Sequence, residues 1–223
     1  MLGGVEDQQI PPHVAEYVQQ AIRIALERAP TRYDFADFDN GASIIPALSS
    51  TTATSHAPNV VIQSTSKTAP ASKPCWSFVG GHGQLGIRLA RLIRPNHLGI
   101  DNRSGQRGDF IHSPRKIIIW GLVDGPDNME IYDNKLKEYR DTLATRTGTA
   151  PPLAAGYTFI VLSELEYDIY AAYPDQSFRI NPPVAATEMY FGVVVVEIRG
   201  NWGGNVTELC RVRLHGEEVG EQV

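Results

Sequence analysis

The sequence predicts an all-β fold, a β-sandwich that carries an N-terminal helix and one inserted helix. Short stretches rich in β-branched and aromatic residues recur from residue 43 to residue 214, separated by Gly, Pro and Asn turn signals. Only two segments, residues 10–28 and 127–147, show apolar residues at helical spacing. We therefore expect two parts, a helical extension over residues 1–32 and one sandwich domain over residues 33–223.

The composition restricts the classes of function. The chain has 223 residues, of which 42% are hydrophobic, enough to bury a sizeable core. Its net charge of −5 argues against a broad nucleic-acid or anionic-membrane surface. No apolar run is long enough to span a bilayer, and no signal-peptide pattern follows Met1. We expect any membrane segment of the full protein to lie outside this chain.

The N-terminal helix is predicted to begin after Pro12 and to end before Pro30, since Pro disfavours helical geometry in the residue that precedes it. Its apolar stripe consists of Val14, Val18, Ala21, Ile22, Ala25 and Leu26. The stripe is compatible with packing on its own domain or with the end of an oligomerising coiled coil. About two heptads are too few for a stable isolated coiled coil.

The strands of the sandwich are predicted from β-branched runs between turn signals. A strand begins at Ile44 after the Asn40-Gly41 turn, and the strongest run, residues 189–199, is typical of a buried sandwich strand. The other predicted strands are residues 59–63, 75–79, 85–89, 98–101, 113–121, 157–165, 177–180 and 209–214.

The stretch from Gly81 to Gly86 has the formal pattern G-x-G-x-x-G, with Asp101 twenty residues after its start. This is the pattern with which NAD(P)-dependent reductases bind a dinucleotide pyrophosphate. However, Leu85, Ile87 and Leu89 alternate as in a strand, and the βαβ repeats that should follow are missing. A reductase remains an alternative interpretation, but a turn followed by a strand fits the residues better.

We expect no enzymatic activity, cofactor or metal site. The six histidines are scattered and show no His-x-x-x-His spacing. No nucleophile elbow, phosphate-binding loop or kinase motif occurs. The acids Glu164 and Glu166 stand two positions apart in a predicted strand, which is typical of a solvated strand face.

Four ordered blocks, of which the last is the chain's ending, resemble the SUN domain. The first two are Asp-Phe-Ala at residues 34–36 with Asn-Gly-Ala-Ser-Ile-Ile at 40–45, and Cys-Trp-Ser-Phe-Val-Gly at 75–80. Residues 113–121 and the ending, Asn-Trp-Gly at 201–203 with Arg-Val-Arg-Leu-His-Gly at 211–216, complete the pattern. The resemblance covers residues 34–216, and the helical segment 127–147 is an insertion relative to it.

The resemblance implies a jelly-roll-like sandwich on the lumenal side of the nuclear envelope. SUN domains bind the C-terminal peptide of a KASH partner and so bridge the inner and outer nuclear membranes in the LINC complex. By this resemblance the full-length protein is anchored in the inner nuclear membrane, and its domain faces the perinuclear space. The alternative binding interpretation is a divergent SUN-like module of the ER lumen that binds a client protein or a glycan.

Matching the chain to the family places candidate peptide-binding positions at Ser49, Thr51, Asn102, His112, Ser113, Trp202, Val206 and Cys210. Several depart from the family pattern, since Val206 and Cys210 replace two tyrosines and Ser49 replaces a cysteine. Only residues 53–58 remain of the hairpin lid, and the cation-binding loop becomes residues 64–73, without an acid. We therefore expect weak binding of ordinary KASH tails and a mainly monomeric chain, with self-association dependent on an upstream coiled coil.

The two cysteines, Cys75 and Cys210, are compatible by composition with one disulfide or with two buried thiols. The family resemblance implies the disulfide, although the cysteine of the last strand has moved from the position of Glu208 to Cys210. Two Asn-x-Ser/Thr sequons begin at Asn102 and Asn205 and are candidate glycan acceptors in a lumenal protein.

Overall fold

The computed structural model describes residues 33–53, 56–64, 74–102 and 110–220, together with Val14. Contacts divide the chain into two compact units, Met1–Arg32 and Tyr33–Val223. Of the predicted N-terminal helix, Val14 is described and is helical, and the other residues lie outside the described part. Most of the predicted loop 64–73 also lies outside it.

The described elements are predominantly strands, which confirms the all-β class. The nine strands are β1 (Ser43–Ile45), β2 (Trp76–Val79), β3 (Gly83–Asp101), β4 (Pro114–Leu122), β5 (Phe159–Glu166), β6 (Asp175–Arg179), β7 (Phe191–Asn201), β8 (Val206–Leu209) and β9 (Val212–Glu218). The helices are α1 (Pro126–Asn134), α2 (Lys137–Thr147) and the short α3 (Pro182–Ala185). Single 3-10 turns cover Phe38–Asn40, Pro46–Leu48, Pro58–Ile62 and Phe110–His112.

Strand β3 organises the sandwich. Its first part pairs with β1 and β7, and its second part pairs with β6 and β9, all antiparallel. The pairing of β3 with β7 shifts register between Arg88 and Ile93, where the strand changes its set of partners. From β7 the sheet continues through β4 to β5, while β2 and β8 form a separate two-stranded sheet. The strand therefore joins two groups of neighbours, as a strand that turns a corner of a sandwich does.

The sheet formed by β4, β5 and β7 is buried on both faces. Alternate residues of β4 divide between two apolar clusters, with Ile117 and Ile119 in the main core and Ile118 and Trp120 in a second cluster. The second cluster is covered by α2 through Leu143 and by residues 150–154. Burial on both faces explains why these strands read as continuous apolar runs instead of alternating ones.

Four of the element predictions differ from the structure. The single inserted helix is two helices, interrupted at Lys135 and Leu136. Residues 58–62 form a 3-10 turn instead of a strand, because Pro58 begins the turn and Val61 and Ile62 point into the core. The predicted final strand, 209–214, is divided between β8 and β9. Conversely, residues 85–89 and 98–101 belong to one strand, because a second register shift accommodates Pro95.

The glycine pattern from Gly81 to Gly86 does not form a dinucleotide site. A dinucleotide-binding turn leads into a helix whose N-terminus faces the phosphates, whereas residues 83–101 are one strand. Packing requires a glycine at position 86, since a Cβ there would lie 2.5 Å from the Cβ of Leu48. The structural basis of the reductase interpretation is therefore absent from this segment.

The disulfide between Cys75 and Cys210 is present, which confirms the pairing implied by the resemblance. The ladder of β2 and β8 pairs Trp76 with Leu209 and Ser77 with Glu208. Continuing that register by one residue sets Cys75 opposite Cys210, so the two-position shift of the cysteine is absorbed by the register of the ladder. The bridge joins residues separated by 135 positions.

Replacing both cysteines, as C75A/C210A, should lower the free energy of unfolding by up to about 5 kcal/mol, because the cross-link restricts a long loop in the unfolded chain. Guanidinium denaturation of the variant and of the oxidised parent measures the difference. Reducing the parent should shift its transition toward that of the variant. Two alkylatable thiols in the unreduced, unfolded parent would contradict the bridge.

A buried ion network fixes the start of the domain to its last strand. The Nη2 atom of Arg211 lies 2.6 Å from Asp34 Oδ2 and 2.7 Å from Asp37 Oδ2. Asp34 also accepts hydrogen bonds from the amides of Ala36 and Leu214. Because these carboxylates are almost fully buried, removing a partner leaves charge without compensation.

Asp37 carries a pKa below its ordinary value. Burial alone raises this pKa, but hydrogen bonds from the Ser64 hydroxyl and the Asp39 amide outweigh it. The Arg211 guanidinium lowers the pKa further. A carboxyl whose pKa is lower in the folded state stabilises the fold above its unfolded pKa, and this contribution disappears as the pH falls through the folded pKa.

We expect D37N to lower the free energy of unfolding at pH 7 by about 1–3 kcal/mol, since it weakens charge-assisted hydrogen bonds. The parent should lose this contribution below about pH 4, so the two stability curves should converge in acid. Urea denaturation at several pH values measures both curves. D39N is the matched control because Asp39 is exposed. Curves that stay parallel down to pH 2 would contradict the role given to Asp37.

Candidate functional site

Three segments meet beside the two-stranded sheet, namely the end of β3, the turn Phe110–His112 and the connection between β7 and β8. Asn102 joins them from within. Its Nδ2 donates to Ser113 Oγ at 2.9 Å, and its Oδ1 accepts from the amide of Cys210 at 3.0 Å. All three residues are buried. The disulfide cysteine is thereby connected to the turn that carries His112.

The connection between β7 and β8 is held from two sides. Nδ1 of His112 donates to the carbonyl of Val206 at 3.1 Å, and Nδ2 of Asn201 lies 3.0 Å from the same oxygen. Asn201 also donates to the carbonyl of Gly204. A Cβ at Gly204 would collide with the imidazole of His112. The Asn-Trp-Gly-Gly turn is therefore fixed by polar side chains and by close approach of the backbone.

Trp202 projects from this turn and is half-buried. Its backbone amide donates to the carbonyl of Ser113, and its indole Nε1 donates to the carbonyl of Tyr167 at 3.1 Å. The guanidinium of Arg115 lies 4.4 Å from the centroid of the indole ring. The ring of Tyr170 meets it edge-on, with centroids 5.7 Å apart. The indole is thus oriented by contacts on several sides.

The candidate residues from the sequence fall into two places. Asn102, His112, Ser113, Trp202, Val206 and Cys210 form one hydrogen-bonded cluster, as described above. Ser49 instead donates to the carbonyl of Ile45 and accepts from the amide of Gly86, and Thr51 is exposed further along the same segment. Burial assigns Asn102, Ser113 and Cys210 to the support of the site, because a ligand cannot reach side chains enclosed by the fold.

The sequence did not identify the exposed apolar residues that surround this cluster. Phe110 and Ile111 precede His112 and are exposed, and the carbonyl of Ile111 accepts from the amide of Gly204. Tyr170 and Tyr173 lie in the loop between β5 and β6 and are also exposed. The tyrosines at 167, 170 and 173 were the only hint of this surface in the sequence, but their spacing does not tell which of them are exposed.

The two candidate glycan acceptors differ in accessibility. In the folded domain Asn102 is buried, and its Nδ2 donates to Ser113. A sugar on this nitrogen would break the bond and displace the packing around it. Asn205 is exposed in the turn before β8, and its neighbour Thr207 is buried. Only the Asn205 position leaves room for a glycan on the folded domain.

In the part of the chain that the structure describes, no group of three His, Cys, Asp or Glu side chains is arranged to hold a metal ion. Among these same residues, no helix has the length and apolar character needed to cross a bilayer.

Comparison with solved structures identifies shared folds. The family 32 carbohydrate-binding module of Streptococcus pneumoniae EndoD matches with a TM-score of 0.52 and 10% identity, covering 83% of this chain and 100% of that chain. Allantoicase from Saccharomyces cerevisiae matches with a TM-score of 0.51 and 12% identity, covering 89% of this chain and 52% of that chain. An F5/8 type C domain from Bacteroides fragilis matches with a TM-score of 0.50 and 12% identity, covering 85% and 100%. At these identities the likeness concerns the β-sandwich fold alone.

Comparison by sequence points to one family. No curated protein sequence matches the chain. The family model described as Sad1/UNC-like C-terminal matches residues 51–145, which include the Cys-Trp motif, all of α1 and most of α2. The sandwich and the disulfide agree with this match. The resemblance drawn from the four sequence blocks is thereby confirmed over residues 51–145, which are similar to the SUN domain.

Proposed function

We propose that this domain is a lumenal binding module, not an enzyme, that holds the C-terminal peptide of a KASH-type partner and so bridges the two nuclear membranes. The observation that supports it best is the exposed pair Phe110 and Ile111 next to the turn that carries the half-buried Trp202, which together we call the turn surface. It lies on a buried, hydrogen-bonded base made by Asn102 and Ser113. A site of this kind requires a rigid support beneath an exposed contact surface.

The turn surface suits the end of a peptide. Aromatic and aliphatic side chains supply contact area, and the half-buried His112 lies at its rim. An apolar side chain near the partner's C-terminus would pack against Ile111 and Trp202. Apolar contact of this kind, together with main-chain hydrogen bonding, is the usual basis of peptide recognition.

Strand addition to a lid would contribute little here. The segment that would form the lid approaches β2 instead, since the Ala53 amide donates to the Ser77 carbonyl and Trp76 Nε1 donates to Thr52 Oγ1. Pro58 then begins the next 3-10 turn. A peptide would therefore gain few main-chain hydrogen bonds from this segment. We propose weak peptide binding and a mainly monomeric chain, with assembly supplied by an upstream coiled coil.

The proposed compartment is the perinuclear lumen, with an inner-membrane anchor outside this chain. The disulfide supports it, because disulfides persist in oxidising compartments such as the ER lumen. The family match supports it as well, since SUN domains belong to the nuclear envelope.

A synthetic KASH-type C-terminal peptide should bind the full chain with a Kd of about 100 μM or weaker, since several lost hydrogen bonds at about 0.5–1.5 kcal/mol each remove micromolar affinity. Calorimetry or NMR titration measures it. I111S and W202A should weaken binding further, whereas L92S, which alters an exposed apolar residue at the bend of β3, should not. Micromolar binding would contradict the weak-site prediction, and equal effects of all three variants would contradict the location.

Expression through a eukaryotic secretory pathway should add one N-linked glycan, at Asn205 and not at Asn102. Treatment with a glycan-removing amidase should shift the mass of the folded protein by one glycan, and N205Q should abolish the shift. T207A provides a second variant that destroys the same sequon. A glycan that persists in N205Q would show that Asn102 is modified despite its burial.

A further inference from the structure

A second surface lies next to the turn surface, on the loop between β5 and β6. Tyr170 exposes 80% of its surface, the largest exposed fraction among the described large hydrophobic residues. Its ring stands at 83° to the ring of Trp202, with centroids 5.7 Å apart. The two rings therefore form a corner with apolar walls, which we call the aromatic corner. Tyr and Trp rings, which combine an apolar face with a polar tip, are enriched at binding surfaces.

The loop that carries Tyr170 is held in place by hydrogen bonds. Gln176 binds the backbone of Asp168 at both the amide and the carbonyl. The side chain of Asp168 in turn accepts from the amide of Tyr170 at 2.8 Å. Tyr167 is fixed by its hydroxyl, which donates to the carbonyl of Pro174. A ring presented on a fixed loop loses little conformational entropy when it binds a ligand.

Charged groups stand at the edge of the aromatic corner in a fixed arrangement. Nε of Arg115 lies 2.6 Å from Glu166 Oε1, and both side chains are about half exposed. The same guanidinium rests on the Trp202 ring. Arg115 presents only hydrogen-bond donors, and the ionised Glu166 presents only acceptors. A pair of neighbouring hydroxyls, each able to donate and to accept, is complementary to such a pair.

We propose that the aromatic corner is a saccharide-binding site for a neutral hexopyranose, whose C–H face packs on Tyr170 while adjacent hydroxyls bind Arg115 and Glu166. The ring of a pyranose has an apolar face and a polar rim, which matches an exposed aromatic ring bordered by a donor and an acceptor.

A proline-rich peptide, the other ligand that commonly packs on exposed aromatic rings, fits less well. Aromatic grooves that bind such peptides use the rings together with a free donor for a peptide carbonyl. Here the indole Nε1 of Trp202 already donates to the carbonyl of Tyr167. The donors that remain belong to Arg115 and are paired with an acceptor, an arrangement that serves a diol better than a lone carbonyl.

The test uses Trp202 as a reporter in the full chain. Trp76 and Trp120 are buried, so quenching of tryptophan fluorescence by acrylamide reports chiefly on Trp202. We expect methyl glycosides of glucose, galactose, mannose or N-acetylglucosamine to protect it, with a Kd of about 1–10 mM for at least one sugar.

The variants separate this site from exposed aromatics in general. Y170A should raise the Kd of the protecting sugar about tenfold, and E166Q should raise this Kd severalfold. Y157A is the matched control, since Tyr157 is 60% exposed on the loop before β5 and lies outside the corner. I111S should leave sugar binding unchanged, so the site does not depend on peptide binding at the turn surface.

Three outcomes would overturn the proposal. One is that none of the four glycosides protects Trp202 or shifts the amide NMR signals of residues 166–170. Another is that Y157A weakens binding as much as Y170A, which would indicate nonspecific contact. The third is that a decaproline peptide protects Trp202 while the sugars do not, which would assign the corner to peptides.

Discussion

The fold depends on the continuity of strand β3. This one strand of 19 residues supplies hydrogen bonds to four others, β1 and β7 along its first part and β6 and β9 along its second. The register shift between Arg88 and Ile93 lets it exchange partners without ending. Contacts formed along β3 are distant in sequence, so the chain must close large loops before the sheet is complete. The disulfide and the Arg211 ion network then fix the two ends of the domain against it.

The sequence predicts the strands well where a local run of apolar residues decides the structure. It fails where a tertiary contact decides. Val60, Val61 and Ile62 favour a strand by type, yet they form a turn because Pro58 sets the backbone and the core receives two of the side chains. The last predicted strand is interrupted at Cys210 and Arg211, which form a disulfide and a buried ion network. The local sequence pattern indicates neither interaction.

The site shows the same division. Resemblance to a family indicated His112, Ser113 and Trp202, because their motifs are contiguous in the sequence. Burial then separates the supporting side chains, such as Asn102, from those that can meet a ligand, and burial depends on segments far apart in the chain. Tyr170 and Arg115 were missed because their relation to Trp202 arises only when β4, the β5–β6 loop and the turn after β7 come together. Contacts between residues so far apart in the chain leave no periodic pattern in the sequence.

Helix α2 affects how motion is distributed through the domain. By covering one face of β4, β5 and β7, it encloses the sheet between two apolar layers. Amides enclosed in this way open to solvent with global unfolding, whereas loops with few buried contacts open locally. The loop between β5 and β6 and the turn after β7 begin where these strands end. The helix therefore restrains these loops through the strands that carry them.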